Sequence, residues 1–254
     1  MVNIYVTELG TILLVYLSSM VAVACFKKDT SVANFTWGGG VLIVTLYTFF
    51  RMSSYLPQQI LITTLITLWA IRLIAYVYMR YDGKDPRFTT WKWQGMQTLG
   101  INIIWVFGQI IMITIMSYPS KLVNTYNIPH ALSLWELLGL AVWVLGFYLE
   151  AVSDYQLFTF RRNPANTGRV MKSGLWRYSR HPNYFGETAM WHGIFFIALA
   201  IPGGIFAIIA PLTITFFLVF ITGIPMLEKA MANSREYQEY KRTTSMFIPW
   251  WPKK

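Results

Sequence analysis

Residues 59–79, QILITTLITLWAIRLIAYVYM, carry a single charged side chain, Arg72. A run of this length matches the roughly 20 apolar residues that a helix needs to cross the hydrocarbon core of a bilayer. On either side, similar apolar segments fall at about 8–26, 37–50, 99–117, 133–153, 187–201 and 204–224. The second and sixth are short for a full span, and Pro202-Gly203-Gly204 between the last two suits a tight helix–helix turn. The composition of the 254 residues agrees, with 55% hydrophobic and only 13% charged, where soluble domains carry about 25% charge. The expected fold is therefore all-α, a polytopic integral membrane bundle of about seven transmembrane helices. The first segment reads as a retained helix rather than a signal peptide, because residues 1–7 hold no Lys or Arg.

The net charge of +10 would suit nucleic acid, but its distribution argues otherwise. With seven spans, eighteen of the 21 basic residues fall on one side, Arg51 and Lys121 on the other, and Arg72 within helix three. By the positive-inside rule that side is cytoplasmic, which puts the N-terminus outside and the C-terminus inside. Topology thus accounts for the excess, and no nucleic-acid partner is expected. The only cysteine, Cys25, rules out a disulfide framework and a Cys-rich metal site. The three histidines lack metal-ligand spacing, and neither a Walker loop nor a Gly-x-Gly-x-x-Gly turn is present, so no metal is expected.

Charge at membrane depth is costly and marks candidate functional residues. Helical spacing lines Trp69, Arg72, Tyr76 and Arg80 along one face. Glu150 and Asp154, four apart near the end of helix five, share a face and repel unless a cation or donor sits between them. Arg161 and Arg162 follow within two turns, and Arg72 is available from the side, which points to a polar pocket. Glu187 is read as opening helix six, where a carboxylate suits the helix dipole. The densest stretch is 174–187, GLWRYSRHPNYFGE. It combines Arg177, Arg180 and His181 with Trp176, Tyr178, Tyr184 and Asn183, and Pro182 suits a first helical turn. Such a turn beside cations is built to hold an anion.

Residues 174–187, the upstream Glu150-Ala151-Val152-Ser153-Asp154-Tyr155-Gln156 and the downstream Thr222-Gly223-Ile224-Pro225-Met226-Leu227-Glu228 resemble the bacterial steroid 5-alpha-reductase-like membrane reductases. The likeness continues into Tyr237, Tyr240, Thr244 and Phe247-Ile248-Pro249. It implies a bundle of about seven to ten helices that binds NADPH in a cytoplasm-facing cavity and reduces an activated C=C bond by hydride delivery. It also implies NADPH contacts at Asp154, Arg161 and Asn183, a surface that Arg162, Arg180, His181 and Tyr184 extend by proximity and Arg72 joins from helix three. One membrane domain, 1–254, is expected, with helices 1–4 (1–130) on the substrate side and helices 5–7 (131–254) carrying the cofactor loops. The membrane is expected to be the bacterial inner membrane, and the partners membrane lipids and a lipophilic substrate. Animal steroid reductases carry a Gln-Glu-Leu-Pro motif near helix two, whereas the similar region here, Ser54-Tyr55-Leu56-Pro57-Gln58-Gln59, has no acid. The expected catalytic residues are Tyr76 and Glu187; a cation beside it makes the Tyr76 phenol the readier donor to the substrate carbonyl.

Arg180-His181-Pro182-x-Tyr184-x-x-Glu187 is also similar to the isoprenylcysteine carboxyl and phospholipid methyltransferases, which bind S-adenosylmethionine. The cations favour a phosphorylated dinucleotide over a sulfonium. A non-catalytic lipid-binding protein that retains the fold is the third reading.

Overall fold

The computed structural model describes residues 2–27, 32–80 and 95–253, and among these every regular element is helical. Among the described residues, five helical segments are long and apolar enough to cross a membrane: Ile4–Phe26, Pro57–Met79, Val106–Thr125, Leu134–Arg162 and Gly204–Ala230. Their outward faces are apolar, as with Leu14, Leu145 and Phe220, each more than half exposed. A surface of this kind requires lipid as its solvent. The chain is a polytopic integral membrane helix bundle.

The helices divide into two units. The first comprises Met1–Leu132 with Ile201–Ala210. Its helices are α1 (Val2–Lys27), α2 (Ala33–Met52), α3 (Pro57–Arg80) and α4 (Gly95–Thr125). Apolar contact between helices gains little over contact with lipid, so buried polar bonds supply part of the specificity here. Thr45 Oγ1 meets Ser120 Oγ at 2.8 Å, and Asn124 Nδ2 donates to Thr48 Oγ1 and Thr63 Oγ1 at 3.1 and 3.2 Å, which ties α4 to α2 and α3. Gln59, fully buried, donates through Nε2 to the Tyr126 carbonyl and Asn127 Oδ1 while its Oε1 accepts from Ser54 and Leu56 N–H. Those two bonds bracket Tyr55 and hold it at φ 55°, in the left-handed region that glycine favours.

The second unit comprises Ser133–Ala200 with Pro211–Lys254. Helix α5 (Leu134–Arg162) starts at Ser133, whose N–H donates to Glu136 Oε2 at 2.6 Å, the reciprocal bond of a capping box. It runs nine residues past the apolar segment because backbone bonding does not stop where apolarity does; Arg161 and Arg162 form its last turn. Helix α6 (Pro182–Ala198) begins with Pro182, as a residue without an N–H suits. Glu187 therefore lies beyond the first turn, buried, and its reading as the dipole-favoured opening of the helix is corrected. Downstream of Gly203, at φ 79°, the 204–224 segment is composite: a 3-10 turn, α7 (Ile209–Phe216), a π-helical turn (Phe217–Ile221) and α8 (Ile224–Ala230). Helix α9 (Arg235–Thr243) follows. Of the basic residues counted above, Lys28, Lys84, Arg87, Lys92 and Lys254 lie outside the described residues, as do the side chains of Lys27 and Arg80.

Candidate functional site

Glycines bring α5 and α6 together. The two helices run antiparallel, with Gly139 against Gly193 and Gly146 against Gly186, so close that a methyl on any of the four would fall 2.6 Å from the facing carbonyl oxygen. The crossing sets the end of α5 beside the start of α6. There Asn183 Nδ2 donates to Asp154 Oδ1 at 3.0 Å. Glu150, one turn before Asp154, and Glu187, one turn after Asn183, are both buried. Asn183 Oδ1 is sealed from solvent with no hydrogen-bond partner among the described residues. A buried amide acceptor without a partner is unusual in a folded chain.

The turn before α6 is keyed to α5. Trp176 Nε1 donates to the Ser153 carbonyl at 3.0 Å, and Leu175 N–H donates to Gln156 Oε1 at 3.0 Å. His181 stacks parallel on Tyr184, ring centroids 5.6 Å apart. Burial pushes its imidazole below the ordinary histidine value, partly offset by Glu228, whose Oε1 is 3.7 Å from Nε2.

Arg180 is directed inward. Its Nε and Nη2 donate to Glu228 Oε1 at 3.0 and 2.6 Å, and its Nη1 to the carbonyls of Lys241 and Thr244. All three guanidinium nitrogens are thereby engaged, and the residue joins the 174–181 loop to α8 and the C-terminal segment. Glu228 also accepts from Lys241 Nζ at 2.8 Å. The same strapping continues along the chain: Tyr240 donates its hydroxyl to the Trp176 and Ser179 carbonyls, and Ser179 Oγ donates to the Phe247 carbonyl. Burial pushes the Tyr240 phenol upward and keeps it a donor.

Arg161 and Arg162 are exposed, the latter with its guanidinium 5.3 Å from the Phe158 ring centroid. In the first unit, Arg72 lies 6.0 Å from the Tyr76 ring centroid and Trp69 packs on Trp37 at 5.0 Å. Among the expected site residues, Asp154 meets Asn183, His181 meets Tyr184, and Arg72 meets Tyr76. Sequence reading did not single out Glu228 as the partner of Arg180, nor the four facing glycines. The equal seven-residue spacing of Gly139/Gly146 and Gly186/Gly193 was the available signal.

Helices and site together define a membrane protein with a polar, partly buried cluster at one end of an antiparallel helix pair. The chain belongs to the family described as protein of unknown function DUF1295, whose model matches residues 20–244, and it is steroid 5-alpha-reductase-like. It is 29% identical over 114 residues to the human 3-oxo-5-alpha-steroid 4-dehydrogenase 1, covering 44% of this chain and 40% of the human protein. The rat protein of the same name is 33% identical over 118 residues, 44% of this chain and 40% of its own. The mouse Delta(14)-sterol reductase is 29% identical over 112 residues, 39% of this chain and 25% of its own. The matched region spans about two-fifths of the length of the steroid dehydrogenases.

Proposed function

We propose that this protein is an NADPH-dependent membrane reductase that reduces an activated C=C bond, an enone, in a steroid-like or other lipophilic substrate, with its cofactor loops cytoplasmic in a bacterial inner membrane. The observation that carries the reading is the Asp154–Asn183 pair, which leaves Asn183 Oδ1 buried and without a hydrogen-bond partner among the described residues. The residues suit a phosphorylated dinucleotide: exposed Arg161 and Arg162 can pair with phosphates, while Asn183 takes a ribose or carboxamide donor. Asp154 orients the Asn183 amide. His181 and Tyr184 offer a flat aromatic stack beside it. Arg180 serves this site through the loop, by fixing it to Glu228.

When bound, NADPH would supply the hydride equivalent. The chain's own part is to orient the substrate and to stabilise charge. Tyr76, with Arg72 beside it, donates a hydrogen bond to the substrate carbonyl and so stabilises the enolate-like oxygen that develops during reduction. Glu187 acts as the second catalytic group, holding or passing a proton.

Binding to purified full-length protein tests the proposal. NADPH is expected to raise the unfolding temperature where S-adenosylmethionine does not, and Arg161→Ala and Asn183→Ala are each expected to weaken NADPH at least about tenfold, or about 1.4 kcal/mol. Stabilisation by S-adenosylmethionine alone would favour the methyltransferase reading, and unchanged NADPH affinity in both variants would reject this site.

A further inference from the structure

The last ten described residues, 244–253, carry an apolar surface that the rest of the second unit does not cover. Trp250 and Trp251 are 70% and 71% exposed and Ile248 59%. This is nonetheless a fixed segment. Arg180 N–H donates to the Ser245 carbonyl at 2.8 Å, Trp250 N–H to the Tyr178 carbonyl at 2.9 Å, and Lys253 N–H to the Thr243 carbonyl at 2.9 Å. Phe247 meets Phe185 of α6 edge-on at 5.6 Å, and Trp251 meets Tyr178 at 5.3 Å. Pro249 and Pro252 keep the strap extended between these anchors. The backbone that carries the two exposed indoles is therefore fixed.

The strap also has a defined level along the bundle. It lies against the first turn of α6, and Asn183 in that turn is bonded to Asp154, eight residues before the end of α5. At 1.5 Å per residue, about 12 Å of α5 extends beyond that point, and the apolar run 133–153 ends beside it, which sets the strap level with the polar end of that run. Indoles are enriched at the edge of the hydrocarbon layer because the ring is apolar and the N–H is a donor. The nearest acid bonded to this region, Glu228, is taken up by Arg180 and Lys241. Arg177, Arg242 and Lys253 are exposed, and residues 244–253 contain no acid.

We infer that residues 247–253, with Arg177 and Arg242, form a docking surface for the headgroups of anionic phospholipids in the surrounding bilayer. The indoles of Trp250 and Trp251 enter the headgroup layer, and the cations pair with lipid phosphate. Because the strap is bonded to Tyr178, Ser179 and Arg180, lipid bound there also stiffens the loop that precedes α6. The inference does not depend on the proposed reductase activity.

The test uses full-length protein in nanodiscs of phosphatidylcholine alone or with increasing phosphatidylglycerol. Phosphatidylglycerol is expected to raise the unfolding temperature of the wild type. In the variant Arg177→Gln/Arg242→Gln/Lys253→Gln the same gain requires more anionic lipid, with apparent affinity falling about fivefold per charge removed, as about 1 kcal/mol per cation implies. The Trp250→Phe/Trp251→Phe variant reports depth: the fluorescence it lacks relative to the wild type is quenched by lipid brominated near the headgroup and protected from aqueous iodide. An equal response to phosphatidylglycerol in wild type and charge variant overturns the inference. So does iodide quenching of the two indoles, or a wild-type dimer in the nanodisc that the indole variant abolishes, since the surface would then face water or a second copy. If the indole variant does not fold, the charge variant decides alone.

Discussion

Gly146 and Gly186 meet backbone to backbone, and a methyl added to either would sit 2.6 Å from the other's carbonyl oxygen. Neither backbone can yield without parting α5 from α6, and with them Asp154 from Asn183. Gly186→Ala and Gly146→Ala are therefore expected to destabilise the protein by about 3 kcal/mol, the upper range for overpacking. Gly108, inside α4 with open space around its missing methyl, provides the contrast: Gly108→Ala should be neutral or stabilising by up to about 1 kcal/mol. Unfolding in detergent reads both, and equal midpoints for Gly186→Ala and Gly108→Ala would refute the close crossing.

Glu228 is the hub that Arg180 and Lys241 share, but the two cations differ in setting. The Arg180 side chain is 5% exposed and Lys241 48%. Removing the acid strands a buried guanidinium, so Glu228→Ala is expected to cost about 3 kcal/mol. Lys241→Ala removes a solvated partner and should cost less than about 1 kcal/mol. Thermal unfolding of the two variants side by side checks the ranking, and a larger loss for Lys241→Ala would show that the loop is not held through Arg180.

The membrane class was legible because a run such as 59–79 is apolar on every face, so that the side turned away from the neighbouring helices needs lipid. Asp154 and Asn183 were legible as residues, but their pairing was not, since 29 positions separate them and only the glycine crossing brings them together. Arg180 shows the converse. Composition displays a cation in a basic loop, which reads as an anion site, while its acid lies 48 residues downstream in a segment whose other residues are mostly apolar. The left-handed backbone at Tyr55 was likewise hidden, because it is imposed by the Gln59 side chain and not by any turn residue at 55.

Gln58 and Gln59 are adjacent and equally buried, yet their bonding differs. Gln59 bonds to Ser54 and Leu56 on one side and to Tyr126 and Asn127 on the other, whereas Gln58 has a 3.4 Å contact from Nε2 to His130 Nδ1 and an Oε1 with no hydrogen-bond partner among the described residues. Gln59→Leu would leave Ser54 and Leu56 N–H and the Tyr126 carbonyl without that partner, at an expected cost of about 3 kcal/mol, while Gln58→Leu should cost about 1 kcal/mol or less. Chemical denaturation of both variants decides the point; matched losses would mean that burial alone, and not the bonding pattern, sets the cost.

His181 gives the stability a pH dependence of known sign. Burial holds its imidazole below the ordinary value of 6.5, with Arg180 adding to the cost of a second positive charge and Glu228 opposing it. Between the folded and unfolded values the unfolded chain binds more protons, so stability rises with pH across that interval. The contribution is complete above about pH 6.5 and is lost as pH falls through the window beneath it. The lowered carboxyl of Glu236, held down chiefly by its hydrogen bond from Lys172, acts only below the ordinary carboxylate value of 4.5. The unfolding temperature of the wild type should therefore fall as pH drops from 7.5 to 5.5, and His181→Gln should flatten that slope. A slope unchanged by the substitution, or a rise on acidification, would place the titrating group elsewhere.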